Sequence, residues 1–137
     1  MNQKITFATI LVAFSVFFIY FTNASPIELS PRVPGDVAFV DFTKNITGRI
    51  TLTELWNNTV RVTGQLNTGF PDRTSKYEYQ LSGEEKELIS SDYIFPPGTA
   101  PFQDDLKNKT VNWFVGKTLS FFRDGVVIEA EIIILVK

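Results

Sequence analysis

Histidine and cysteine are both missing from this 137-residue sequence. Without cysteine no disulfide can staple the domain, so a packed core must hold the fold alone. Without histidine there is no His-ligated zinc, copper or non-haem iron site. The same absence excludes Ser-His-Asp and Cys-His nucleophile systems and the usual general base near neutral pH. An excess of positive charge is also lacking. Thirteen basic residues face 15 acidic ones, for a formal net charge of −2. Such a chain does not attract nucleic acid or anionic lipid through bulk charge.

Apolar and aromatic residues are plentiful. The chain is 44% hydrophobic and 14% aromatic, with 13 phenylalanines. That is enough to bury a core, and it is not the composition of a disordered tail. The length fits one domain plus a targeting segment.

The N-terminus has the layout of a signal peptide. Lys4 provides a short positive region, and residues 5–21 are apolar apart from Thr6, Thr9 and Ser15. Small residues before Ser25 place cleavage after Ala24, with Pro26 just beyond. The alternative is an uncleaved anchor, since the apolar run approaches the ~20 residues that span a bilayer. Both readings put the rest of the chain outside the cytosol, because the positive charge sits on the N-terminal side. The expected organisation is a signal peptide over 1–24, an extended lead-in over 25–35 and a β-sandwich over 36–137. The lead-in carries Pro26, Pro31, Pro34 and Gly35. Three N-glycosylation sequons fit this topology, at Asn45, Asn57 and Asn108.

Beyond the lead-in the pattern is that of strands. Residues 37–42 are β-rich, and residues 49–55 and 60–65 alternate apolar and polar side chains. Turns over residues 44–48 and at Asn57-Asn58 separate them. Tyr77, Tyr79 and Leu81 face one way along a further strand. Residues 67–75 and 96–101 read as loops, and Asp104-Asp105 as the start of a turn. Asp124-Gly125 is the strongest hairpin signal in the chain, between strands 117–123 and 126–136. In that last strand Val126, Ile128, Ala130, Ile132 and Ile134 form an apolar face, with Glu129 and Glu131 opposite. Its end is apolar on both sides, which predicts a central strand. The sum is about seven or eight short strands, the signature of an all-β antiparallel sandwich or flattened barrel.

Particular residues add a resemblance. Val37-Ala38-Phe39-Val40, then Gly48-Arg49-Ile50-Thr51-Leu52, then Val60-Arg61-Val62-Thr63-Gly64 resemble the opening strands of the copper/zinc superoxide dismutase family. Phe114-Val115-Gly116-Lys117-Thr118-Leu119 resembles a late segment of the same family. The resemblance implies a Greek-key β-sandwich over most of residues 37–136. It also implies that the metal chemistry is gone. Glu78 and Gln80 stand at the first two copper-ligand positions and Phe122 at a late one. The intervening stretch, which in the family holds the zinc ligands and a disulfide cysteine, is shorter and has neither residue type. No arginine matches the family's active-site arginine, since Arg123 lies too early. Copper cycling needs imidazole ligands suited to both oxidation states, so the expected cofactor is none.

The remaining candidates are for recognition. Trp56 and Trp113 each adjoin a sequon, and tryptophan is enriched in binding hot spots, although strand-end packing also uses it. Tyr93 and Phe95, with Phe102, flank a proline-rich loop, either as exposed contacts or as a plug closing one end. Glu84, Glu85, Glu87 and Asp92 read as a solvated acidic run, lacking calcium-loop spacing. The sequence therefore predicts a secreted, non-catalytic binding or surface-associated protein with a protein or glycan partner, and no role for nucleic acid. Loops 67–75 and 90–105 would form its contact surface. A membrane-anchored extracytoplasmic domain and a small carboxylate-based hydrolase are the alternatives.

Overall fold

A computed structural model describes residues 35–137. The expected signal peptide, its cleavage site and all of the lead-in except Gly35 lie outside the described residues.

The described part is all-β, built from two main antiparallel sheets. The first contains β1 (Val37–Thr43), β2 (Thr47–Glu54) and β3 (Thr59–Thr68). Their alternation sets which side is buried: Ala38, Val40 and Phe42 from β1, Ile50 and Leu52 from β2, and Val60 and Leu66 from β3 all turn inward. On the opposite side charges pair across strands. Asp41 sits directly across from Arg49, whose Nε donates at 2.5 Å. Asn57 and Asn58 both take left-handed backbone angles, with φ of 59° and 54°, and close the β2–β3 hairpin as their side chains allow.

The chain then crosses to the second sheet through β4 (Tyr77–Leu81) and β5 (Glu87–Leu88). A 3₁₀ turn, Ser91–Tyr93, leads into a two-residue ladder, β6 (Ile94–Phe95) and β7 (Gly98–Thr99), joined by Pro96-Pro97. Next, β8 (Phe102–Lys107) returns to the first sheet beside β3. A single helical turn, α1 (Val111–Phe114), precedes β9 (Thr118–Arg123) and β10 (Val126–Ile132) of the second sheet. The chain ends in β11 (Ile134–Leu135), which pairs with β1. The sheet orders are β11-β1-β2-β3-β8 and β10-β9-β4-β5.

An aromatic cluster joins the sheets. Phe121 of β9 lies 5.2 Å from Phe42 and 6.1 Å from Phe70, both edge-on, and Phe70 lies 4.9 Å from Tyr77. Such pairs add about 0.5–1.5 kcal/mol each beyond the area they bury.

Three expectations need correction. Residues 96–101 are not simply loop, because Gly98 and Thr99 are buried against β3 and the Thr99 hydroxyl accepts from the Leu66 amide at 3.1 Å. Asp104-Asp105 starts no turn. Both residues lie in β8, where Asp105 takes the Arg61 guanidinium at 2.7 and 2.8 Å. The apolar stretch 126–136 is not one central strand. A β-bulge between Val127 and Glu129 reverses its alternation, so Glu129 turns inward while Val126 and Ile132 face solvent. Ile133 is buried at the crossing point between sheets, and β10 and β11 are both edges.

Candidate functional site

The residues singled out from the sequence fall in three places. The first is the outer side of the second sheet. Glu78 is directly across from Phe122 on one neighbour and Leu88 on the other, and Gln80 from Ser120. Glu78, Gln80 and Phe122 therefore share one face. The Lys76 ammonium is 3.7 Å from Glu78, and Gln80 Nε2 donates to the Glu84 carbonyl at 3.0 Å. Phe122 is buried beneath Lys86, whose Nζ stands 3.9 Å from the ring centroid. These partners make the face a packed surface of one carboxylate, one amide and an aromatic ring under a lysine. Among the described residues, no three Asp or Glu side chains are grouped to hold a metal ion.

The second place is the end of the sandwich where β4 starts and β9 stops. Tyr93 and Phe95 are 52% and 53% exposed, while Ile94 between them is fully buried. Ile94 is thus the plug that closes this end, and its two neighbours project from it. Alternation along β6 turns Phe95 away from Ile94, and Tyr93 projects from the 3₁₀ turn before it. Arg73 supports Phe95, with its guanidinium 4.8 Å from the ring centroid and its Nε donating to the Ile94 carbonyl at 2.8 Å. Behind it, Asp72 accepts from the Ser75 amide at 2.7 Å and the Thr74 amide at 3.0 Å, and pairs with the Arg123 guanidinium. Bonds from the Ser75 hydroxyl and amide hold the Asp72 carboxyl down at about 2, with help from Thr74 and Arg123. Nearby, an open cleft of about 370 Å³ runs between residues 75–77 and residues 88–91. The Tyr77 hydroxyl is buried without a hydrogen-bond partner.

The opposite end carries the tryptophans. Trp56 is 63% exposed in the turn after β2. Trp113, on α1, is half-buried, and two ammonium groups approach its ring: Lys109 Nζ at 3.6 Å and Lys117 Nζ at 3.9 Å. Glu54 anchors α1 by accepting from the Val111 amide at 3.1 Å. The second and third sequons meet here, because the Lys109 amide donates to the Asn58 carbonyl at 3.0 Å. Asn57 and Asn108 are both exposed and left-handed. Asn45, of the first sequon, is exposed in the β1–β2 turn at the other end. The acidic run is solvated: Glu84, Glu85, Glu87 and Asp92 are all exposed.

Several carboxylates are tuned in one direction. Hydrogen bonds from Arg49 lower Asp41, and hydrogen bonds from Arg61 lower Asp105. With Asp72 these are acids held ionised, the reverse of what a general acid at neutral pH requires. Tyr79 moves the other way, raised by burial and then by the charges of Glu87 and Asp104.

Sequence reasoning missed Glu129. It is only 6% exposed, and it accepts from the Ile46 amide at 2.7 Å, the Thr43 amide at 3.2 Å and the Lys44 amide at 3.3 Å. Its partners are backbone groups more than eighty residues away, so no side-chain pattern announces it.

No protein-family model matches the chain, and no curated protein matches it in sequence.

Proposed function

We propose that the chain is a secreted, non-catalytic β-sandwich with the Greek-key arrangement of the copper/zinc superoxide dismutase family, acting outside the cell as a binding module. The strand orders support the topology. Chain-adjacent β1, β2 and β3 lie side by side, and β11 returns over a long connection to flank β1. The second sheet, β10-β9-β4-β5, is likewise interleaved from separate stretches of chain. A fold does not carry an activity by itself, so function must be argued from the sites.

The observation that carries the binding reading is the Tyr93–Phe95 end. Two aromatic rings stand half-exposed on either side of a buried isoleucine, and the Arg73 guanidinium supports the Phe95 ring. Exposed aromatics on a braced frame lose little entropy on contact, as recognition surfaces require. At the other end two sequons, Asn57 and Asn108, adjoin Trp56 and Trp113, so sugar there would oppose close docking of a protein, whereas the one sequon of the Tyr93–Phe95 end, Asn45, sits on the β1–β2 turn against β10. The contact surface is therefore the Tyr93–Phe95 end, and its partner a protein or glycan.

The test is expression of the full chain in a eukaryotic secretory host. The secreted protein is sequenced from its N-terminus, analysed for metals, and assayed for superoxide consumption after copper loading. A mature N-terminus at Ser25, no stoichiometric copper or zinc, and no superoxide consumption are expected. Stoichiometric copper with activity would overturn the non-catalytic reading. Retention in the membrane with residues 1–24 attached would replace secretion with anchoring.

A further inference from the structure

We infer that Asn45 carries an N-linked glycan that shields the open edge of β10 from pairing with another chain. The inference rests on the extracytoplasmic reading above and adds a task for one of the three sequons.

Among the described residues, β10 is the last strand of its sheet. Edge strands offer unpaired amides and carbonyls to any passing strand, and proteins blunt them with lysine, proline, bulges or cover. β10 has no lysine, arginine or proline. Its bulge and the β1–β2 turn protect the middle, through the three amides bound to Glu129. The flanks remain open and apolar, with Val126 70% exposed, Val127 53% and Ile132 56%. Ile134 and Val136 prolong this apolar strip beyond the strand.

Asn45 stands at this edge. It is exposed, it opens the sequon Asn45-Ile46-Thr47, and its Nδ2 donates to the β10 carbonyl of Ile128 at 2.9 Å. The side-chain amide nitrogen has two hydrogens. One serves Ile128, and the other can be replaced by sugar without breaking that bond. In the transfer, Nδ2 forms a bond to C1 of a lipid-linked oligosaccharide diphosphate. The C1–O bond to the lipid diphosphate breaks, the diphosphate leaves with the bonding pair, and the amide proton passes to base. A glycan rooted there begins beside Ile128, between Val127 and the outward-facing Ala130. The other two sequons lie at the tryptophan end, away from Val126, Val127 and Ile128.

The experiment uses the full chain secreted from eukaryotic cells, with glycopeptide mapping and light scattering. Thr47→Val removes the sequon while keeping the Asn45 amide, and Thr47→Ser keeps both. Wild type and Thr47→Ser are expected to carry sugar at Asn45 and to be monomeric. Thr47→Val is expected to lose that sugar and to shift to roughly twice the monomer mass or beyond. Adding Val127→Lys is expected to restore the monomer. Thr47 also bonds the Thr68 hydroxyl at 2.8 Å, so Thr47→Val could perturb folding. Trimming of the folded protein with an endoglycosidase, which leaves Asn45 as an amide bearing only its first sugar, in an Asn57→Gln/Asn108→Gln background removes the bulk of the glycan without that change. A bare Asn45 in the secreted wild type overturns the inference, as does a sugar-free or trimmed protein that stays monomeric. If the extracytoplasmic reading itself fails, Asn57 and Asn108 are bare as well and residues 1–24 remain attached.

Discussion

The two ends of the sandwich are held by different physics. At the Tyr93–Phe95 end, side chains reach across the fold to backbone groups. Glu129 gathers three amides of the β1–β2 turn, Thr99 takes the Leu66 amide, and Asp72 pairs with Arg123. At the tryptophan end, tight turns do most of the work. Asn57, Asn58 and Asn108 adopt left-handed angles, and lysines rest on Trp113. The Glu54–Val111 bond and the Ser82 hydroxyl, which accepts from the Thr118 amide, are the long-range side-chain ties to backbone there. Long-range polar ties are costly to break, because a lost acceptor strands buried donors. Local turns can be altered singly with less loss. The contrast teaches that the first end is cross-linked over long sequence separations, whereas the second leans more on local turns.

The largest expected effect tests the buried carboxylate. Glu129→Ala strands the Ile46 amide and weakens two others, and should cost about 3 kcal/mol or more in urea unfolding. Glu129→Gln keeps one acceptor oxygen and should cost visibly less. Equal losses for the two would mean that the charge matters and the geometry does not.

Gly98→Ala comes next. A Cβ there would stand 2.2 Å from the Leu66 carbonyl oxygen, on the strand that β7 packs against. Backbone must shift, at about 1–3 kcal/mol. An unchanged unfolding midpoint would show that the β6–β7 ladder is only loosely seated on β3.

Acid sensitivity should follow the Asp72 network. Its folded pKa of about 2 lies below the roughly 3.9 of an unfolded aspartate. Its contribution is therefore complete above about pH 4 and is lost as the pH falls from there through about 2. Asp41 and Asp105 are lowered too and act in the same sense. Melting temperatures should be flat above about pH 5 and fall below 4, and Asp72→Asn should make that fall shallower. A fall of unchanged steepness in Asp72→Asn would assign acid sensitivity to the other two carboxylates.

The smallest effect belongs to the other end. Trp56→Ala removes a mostly exposed ring and should change stability by no more than about 0.5 kcal/mol. A larger loss in thermal melts would erase the proposed difference between the ends.

Much of the fold was legible because local chemistry dictated it. Asn57-Asn58 and Asp124-Gly125 are turn dipeptides with positive φ, and Tyr77–Leu81 alternates aromatic or apolar with polar residue types, although Tyr79 is 40% exposed. β8 was hidden because it is an edge strand whose middle, Gln103-Asp104-Asp105, is polar and exposed. The face of β10 was inverted by a bulge, and a period-two reading fails at such an insertion. At the candidate sites, the residue types were readable but their exposure was not. Ile94 proved to be the plug and Tyr93 and Phe95 the projections, because that assignment depends on which strand β6 packs beside.

The crossing at Ile133 also decides how the domain would answer a pull. After leaving the second sheet, the chain lays β11 antiparallel to β1, so the Val136 amide bonds the Val37 carbonyl where both strands meet the ends of the described chain. A tether before Gly35 and a load at Lys137 would thus tug at neighbouring points. The ladder would open like a zipper, first Val37–Val136, then Ala38–Leu135, and would not shear as a block. A domain held at its N-terminal side would resist little tension applied through its C-terminal strand, but the cross-linked Glu129 end would remain intact until β11 had peeled away.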